Sequence, residues 1–243
     1  HAPLTIMQSS GGMMTDQVAA SRSVNTLLSG PAGGVLAAEF LSQITPYHNL
    51  ITGDLGGTSF DVAVVQNGSV SIASEGVIEG FPVKFPHIDI TTIGAGGGSI
   101  AWLDAGGALR VGPRSAGAVP GPVCYRKGGT EPSVTDAHAV LGRVGQTLLG
   151  GKMKLDVPAA RAAIRDRLAS KLNMSVEEVA EGILRVANAN MVRAIRVMTV
   201  EKGIDPEKIA LLPYGGAGAL HAVELARALD IPTVLIPIAP GNF

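Results

Sequence analysis

The stretch Leu50 to Val65, LITGDLGGTSFDVAVV, concentrates residue types that handle phosphate. Gly56 and Gly57 are followed by two hydroxyl residues, Thr58 and Ser59, with a carboxylate on each side, Asp54 before and Asp61 after. Glycines allow backbone conformations that point successive N–H groups into a concave turn, and such turns bind anions. Thr58 and Ser59 add hydroxyl donors. A carboxylate beside a phosphate is repulsive unless a cation lies between them. The pattern therefore points to Mg²⁺, or another divalent cation, held by Asp54, Asp61 and phosphate oxygens. Either carboxylate could instead orient an attacking nucleophile. The stretch is neither a Walker loop, whose lysine is missing, nor a Rossmann turn, since the glycines lead into a strand. An ordinary hairpin would use Asp and Gly for turn geometry alone; the full set of Asp, Gly-Gly, Thr-Ser and Asp favours phosphate binding.

Two other glycine runs are candidates. YGGAGALHA places Gly215, Gly216 and Gly218 between the end of a strand and the start of a helix, where anions and ligands commonly lie. Close strand–helix packing asks for the same glycines. His221, in the first turn of that helix, reads as a packing or capping group rather than a catalyst. GAGGGS, with Gly96, Gly97, Gly98 and Ser99, is either a second anion nest or a close-packed bend. His87 and Asp89 are too few for a metal site. Thr135 or Asp136 is expected to cap a helix. Cys124 reads as a buried thiol, and Arg185, Arg193 and Arg196 as a solvated or salt-bridged helix face.

The elements that must position these groups follow from patterning. Leu4 to Gln8 reads as a short strand. Ser29 to Gly34 opens a helix through VLAAEFLSQI, with Pro31 in its first turn. The quoted stretch is strand, glycine turn, strand, and Asn67-Gly68 predicts a type I′ hairpin returning as SVSIA. Ile88 to Asp136 is mostly loop and short strand, and such long irregular stretches are usually functional. A helix starts at Asp156-Val-Pro158 and runs to about Leu172. Ser175-Val-Glu-Glu178 is a capping box opening a long helix that ends near Gly203. IALLPY, GGAG, ALHAVELARAL and TVLIPI form a βαβ unit.

Composition narrows the class. The chain has 243 residues, 46% hydrophobic and 16% charged, which fits an ordered globular protein. Its net charge of −1 gives no general pull toward nucleic acid or an acidic membrane. One cysteine excludes an intrachain disulfide framework and fits a reducing compartment, so a cytoplasmic location is expected. The chain opens on HAPLTIMQSS with a strand-like run under way and stops just after another strand, which reads as a piece of a longer protein.

Taken in order, MQSSGGMM, LLSGPAGGV, GDLGGTSFDVAVV, TIGAGGGSIAWLDAGGALRVGPRSAGAVPGPVCY, GGTEPSVTDA and LPYGGAGALHA are similar to the hydantoinase A/5-oxoprolinase family across nearly the whole chain. DLGGTSFD also resembles a phosphate hairpin of the actin, hexokinase and Hsp70-type ATPases, and PYGGAGALHA their adenosine-facing turn. The resemblance implies an α/β, ribonuclease-H-like (actin-like ATPase) domain over residues 1–243, with a mixed sheet flanked by helices and a loop-rich insert near 88–136. It implies ATP-dependent ring opening of a cyclic amide such as a hydantoin or 5-oxoproline. Related members are ATP-using subunits of ketone carboxylases, and a nucleotide-driven conformational module is a third reading. Carried onto this chain, Gly56, Gly57, Thr58 and Ser59 would hold ATP phosphates, with Asp54 and Asp61 positioning metal and nucleophile. Gly215, Gly216 and Gly218 would back the adenosine with His221 nearby, and Gly96, Gly97, Gly98 and Ser99 would face the cleft. A hydantoinase B-type subunit or fused domain is the implied partner. Family members carry an earlier lobe with its own DxGGT hairpin; this chain has one such hairpin. It is therefore expected to be the second lobe, truncated at both ends and inactive alone.

Overall fold

The computed structural model describes residues 4–78 and 80–243. Its centre is a six-stranded mixed sheet built from β1 (Leu50–Leu55), β2 (Phe60–Gln66), β3 (Ser69–Val70), β4 (Thr91–Ile93), β7 (Ala210–Tyr214) and β8 (Thr233–Val234). The order is β4-β2-β1-β7-β8, with β3 paired to β2. β1, β2, β3 and β4 are antiparallel neighbours, whereas β7 runs parallel to both β1 and β8. Asn67 and Gly68 both take positive φ, 51° and 77°, as a type I′ turn requires.

Strand alternation sorts the side chains onto two faces. Ile51, Leu55, Phe60, Val62 and Val64 join the larger core beneath α2 (Val134–Val140), α3 (Val157–Ile164), α4 (Val176–Met198) and α5 (Gly218–Ala228). Leu50, Val65, Leu212 and Tyr214 pack with Ala38 on the opposite face, under α1 (Ser29–Ile44). Gly34 is required there: a Cβ would stand 2.6 Å from the Tyr214 ring. Helices therefore cover both faces of the mixed sheet.

The expected helices form, with refinements. The Ser175–Glu178 capping box is present and α4 ends at Met198, followed by a 3₁₀ turn closed by Gly203 at φ 74°. Ser133 is the N-cap of α2, so Thr135 is not; Asp136 supplies the returning half of the box. The 88–136 region is loop and short strand, as expected. Thr91–Ile93 closes one edge of the main sheet, and β5 (Ser99–Leu103) pairs with β6 (Leu109–Ser115) as a separate ribbon. Of TVLIPI only Thr233–Val234 pairs as strand, because β7 continues beside β8 for two residues only.

Candidate functional site

Register brings four polar side chains into line. Thr92 on β4 is opposite Asp61 on β2, Asp61 is opposite Asp54 on β1, and Asp54 is opposite Tyr214 on β7. Residues paired this way share a face, so Thr92, Asp61, Asp54 and Tyr214 form one row across four strands, at the end where the Gly56–Ser59 turn connects β1 to β2. Two directly opposed carboxylates repel, and the fold does not relieve them equally. Asp61 is 8% exposed and accepts hydrogen bonds from Ser59 Oγ at 3.0 Å and Thr92 Oγ1 at 2.5 Å. Burial first, and the charge of Asp61 second, raise the Asp54 carboxyl above the usual carboxylate range, with no hydrogen bond among the described residues to offset them. Burial, then Asp54, push the Tyr214 phenol up as well. A cation at this row would offset the charge repulsion between Asp54 and Asp61 and the charge of Asp54 on Tyr214.

The turn itself is open on one side and supported on the other. Gly57 and Thr58 are exposed, and a Cβ on Gly56 or Gly57 would meet nothing within 4 Å. Behind them lies the GAGGGS segment. Gly97 N–H donates to Gly56 O at 3.0 Å and Gly98 N–H to Gly57 O at 2.7 Å. A Cβ on Gly96 would fall 2.5 Å from Thr58 N, and one on Gly98 2.8 Å from Gly57 O. Gly96 N–H donates to Ser99 Oγ and Ser99 N–H to Gly96 O, so all four N–H groups are committed within the protein. Gly96, Gly97, Gly98 and Ser99 are buried, forming a close-packed bend rather than an anion nest, and they support the turn from beneath instead of lining an open cleft.

The second glycine turn abuts the first strand's end. Gly215 has φ 79°, and a Cβ there would stand 2.4 Å from Asp54 Oδ1; Ala217 N–H donates to Leu55 O at 3.0 Å. Gly218 starts α5 against Gly53 O, while Gly216 is exposed with open space around it. Of these glycines only Gly216 offers a free surface. His221 faces away from it. Fully buried, it meets Asn188 Oδ1 through Nδ1 at 2.6 Å and His138 Nε2 through Nε2 at 3.0 Å. Both ring nitrogens are taken, so the expectation of His221 beside a ligand gives way to a packing role. Asn188 Nδ2 donates to Glu224 at 2.8 Å, so its Oδ1 accepts from His221 Nδ1. His221 Nε2 then accepts from His138, leaving His138 Nδ1 a buried acceptor without a partner among the described residues. Burial holds both rings neutral, lowering His138 to about 3 and His221 to about 4.

Sequence reasoning missed Thr92, Thr135 and His138 as site support. Thr135 donates through N–H and Oγ1 to Gly97 O, each at 2.8 Å, and so ties α2 to the bend beneath the turn. The TT pair at 91–92 was the available signal for Thr92, since β-branched hydroxyl residues favour strands. A cleft of about 570 Å³ opens beside the turn, lined by Thr58, Ser59, Thr92, Leu28, Ile90 and Val77 among others. Among the described residues no cluster of three or more His, Cys, Asp or Glu side chains could hold a metal. The two carboxylates suit Mg²⁺, which takes one or two protein carboxylates and completes its shell with water and phosphate. Cys124 is buried, its thiol pushed up chiefly by burial. His87 Nδ1 meets Phe85 O, and Asp89 pairs with Lys202, so neither forms a metal site.

These features define an α/β domain organised around a strand–glycine–strand hairpin with opposed carboxylates. The chain belongs to the hydantoinase/oxoprolinase family, whose model matches residues 1–243. It is 44% identical to the caprolactamase subunit alpha of Pseudomonas jessenii over 98% of this chain and 35% of that protein. It is 42% identical to 5-oxoprolinase 1 of Arabidopsis thaliana, over 95% of this chain and 19% of that protein. The solved structure of the ATP-dependent caprolactamase superposes with TM-score 0.86 at 43% identity, covering 99% of this chain and 35% of that one. A nucleotide-free acetone carboxylase, solved in work on ATP-dependent acetone carboxylation, superposes with TM-score 0.91 at 31% identity, covering 98% of this chain and 34% of that one. The chain thus spans about a third or less of the length of these relatives.

Proposed function

We propose that this chain is the second, actin-like lobe of an ATP-dependent cyclic amidase, and that its β1–β2 hairpin holds the metal-bound phosphates of ATP. One observation carries the reading: the row Thr92, Asp61, Asp54, Tyr214 puts two opposed carboxylates at the open glycine turn. Asp54 and Asp61 would hold the cation, Ser59 and Thr92 fix the Asp61 carboxylate, and Thr58 offers its hydroxyl at the exposed tip. Gly216 and the start of α5 would take the adenosine side. Bound Mg·ATP would supply its γ-phosphoryl group to the amide oxygen, with ADP leaving, so that water could open the activated ring and release phosphate. The ATP dependence of the caprolactamase and acetone carboxylase relatives supports the nucleotide. The name "subunit alpha" on the caprolactamase relative supports a partner subunit, which the family resemblance would make one of hydantoinase B type.

A second reading, the ATP-using subunit of a ketone carboxylase, is favoured by the TM-score of 0.91 to acetone carboxylase. Phosphate release by the complete polypeptide with its partner subunit separates the two. A lactam, hydantoin or 5-oxoproline that stimulates release supports the amidase. Stimulation only by a ketone with bicarbonate supports the carboxylase. Release indifferent to either class would reject both in favour of a nucleotide-driven conformational module.

A further inference from the structure

On the outer side of the helical layer, α4 and α5 enclose a groove of about 770 Å³. Its floor is apolar, with Leu184, Ala189, Val192 and Ala228. Its rim is basic. Arg185, Arg193 and Arg196 are exposed and within 4 Å of no carboxylate among the described residues, as are Arg22, Arg167 and Arg227 elsewhere, whereas Arg143 of the same groove is paired. The two acidic residues of the groove are Glu181 and Glu224, and Glu224 is already paired with Arg143 at 2.8 Å. Arg193 and Arg196 are three residues apart on one helix, a spacing at which like charges repel. No carboxylate among the described residues lies within 4 Å of either to offset that repulsion.

We propose that this groove docks an acidic amphipathic helix of a partner protein. From Glu181 to Arg196 the groove follows α4 for about 22 Å at 1.5 Å per residue, the length of a four-turn helix. Apolar side chains of the incoming helix would seat on Ala189, Val192 and Ala228, as in helix-in-groove recognition, and its carboxylates would reach the three arginines. Arg suits such contacts because its planar fork binds carboxylates bidentately. The groove shares no lining residue with the two glycine turns, so occupancy leaves the hairpin site free.

The test uses the complete polypeptide and a fluorescent 16-residue helical peptide with leucines at i, i+4, i+7 and i+11 flanked by glutamates. Anisotropy is read for wild type and for the triple variant Arg185→Glu, Arg193→Glu, Arg196→Glu. The expected result is at least tenfold weaker binding to the variant, restored when the glutamates of the peptide become lysines. Unchanged melting and Mg·ATP binding of the variant show that it is folded. Equal binding to both proteins, or equal binding of a peptide whose leucines are serines, would overturn the proposal. So would displacement of the peptide by equimolar tripolyphosphate, which would mark a small-anion site. Loss of a dimer in the variant without peptide binding would do the same, marking a contact between copies.

Discussion

At the scale of single residues, Asp54 sits where its charge harms the fold. Its carboxyl is raised by burial and by Asp61, so the ionised form is destabilising above that raised value. Asp54→Asn removes one of two opposed charges, a relief of about 0.5–1 kcal/mol. Melting of this variant is therefore expected about 1–4 °C higher at pH 7, together with loss of Mg·ATP binding. A lower melting temperature would show that Asp54 is structural. Its pH dependence follows with sign: Mg·ATP binding strengthens as pH rises through the raised Asp54 value, because the cation needs the carboxylate ionised. The buried histidines act in the opposite sense on stability. Between about 4 and the ordinary 6.5 the unfolded state binds more protons than the folded one, so stability falls as pH falls through that window. At pH 5 each ring accounts for on the order of 2 kcal/mol. Melting profiles of wild type should drop below pH 6.5, and those of a His138→Gln variant should drop less; parallel profiles would contradict neutral burial.

At the scale of elements, the glycines divide into two kinds, and substitution separates them. Gly98→Ala places a methyl 2.8 Å from Gly57 O and 2.9 Å from Ser115 Oγ, an overpacking cost of about 1–3 kcal/mol. It should lower melting by several degrees and displace the turn above it. Gly57→Ala meets nothing within 4 Å and should leave melting nearly unchanged while weakening Mg·ATP binding, because its methyl occupies the open side of the turn. Equal stability losses for both would show that the turn is closed. Local elements were legible because their signals are local: the Asn67-Gly68 turn, the Ser175–Glu178 box, and the hairpin with its two carboxylates. The bend at Gly96–Ser99 was ambiguous, since a nest and a close backbone approach ask for the same residue. The His138–His221 contact joins positions 83 apart in sequence, and the Thr92–Asp61 bond 31 apart, so neither leaves a spacing signature. The α4 arginines read as a solvated or bridged face, and only the structure shows that they rim an apolar groove unpaired.

At the scale of the whole molecule, α2 links the Gly56 turn to α5, the helix that follows the second glycine turn. Gly56 binds Gly97, Gly97 binds Thr135 of α2, and His138 of the same helix binds His221 of α5. No helix among the described residues is long and apolar enough to cross a membrane. The central claim, that the Asp54–Asp61 row holds metal-bound phosphate, is met most directly by calorimetric titration of Mg·ATP into the complete polypeptide and its Asp54→Asn and Asp61→Asn variants. The account expects binding that requires the divalent cation and weakens at least tenfold in each variant. Undiminished binding in both folded variants, or wild-type binding indifferent to removal of the cation, would contradict it.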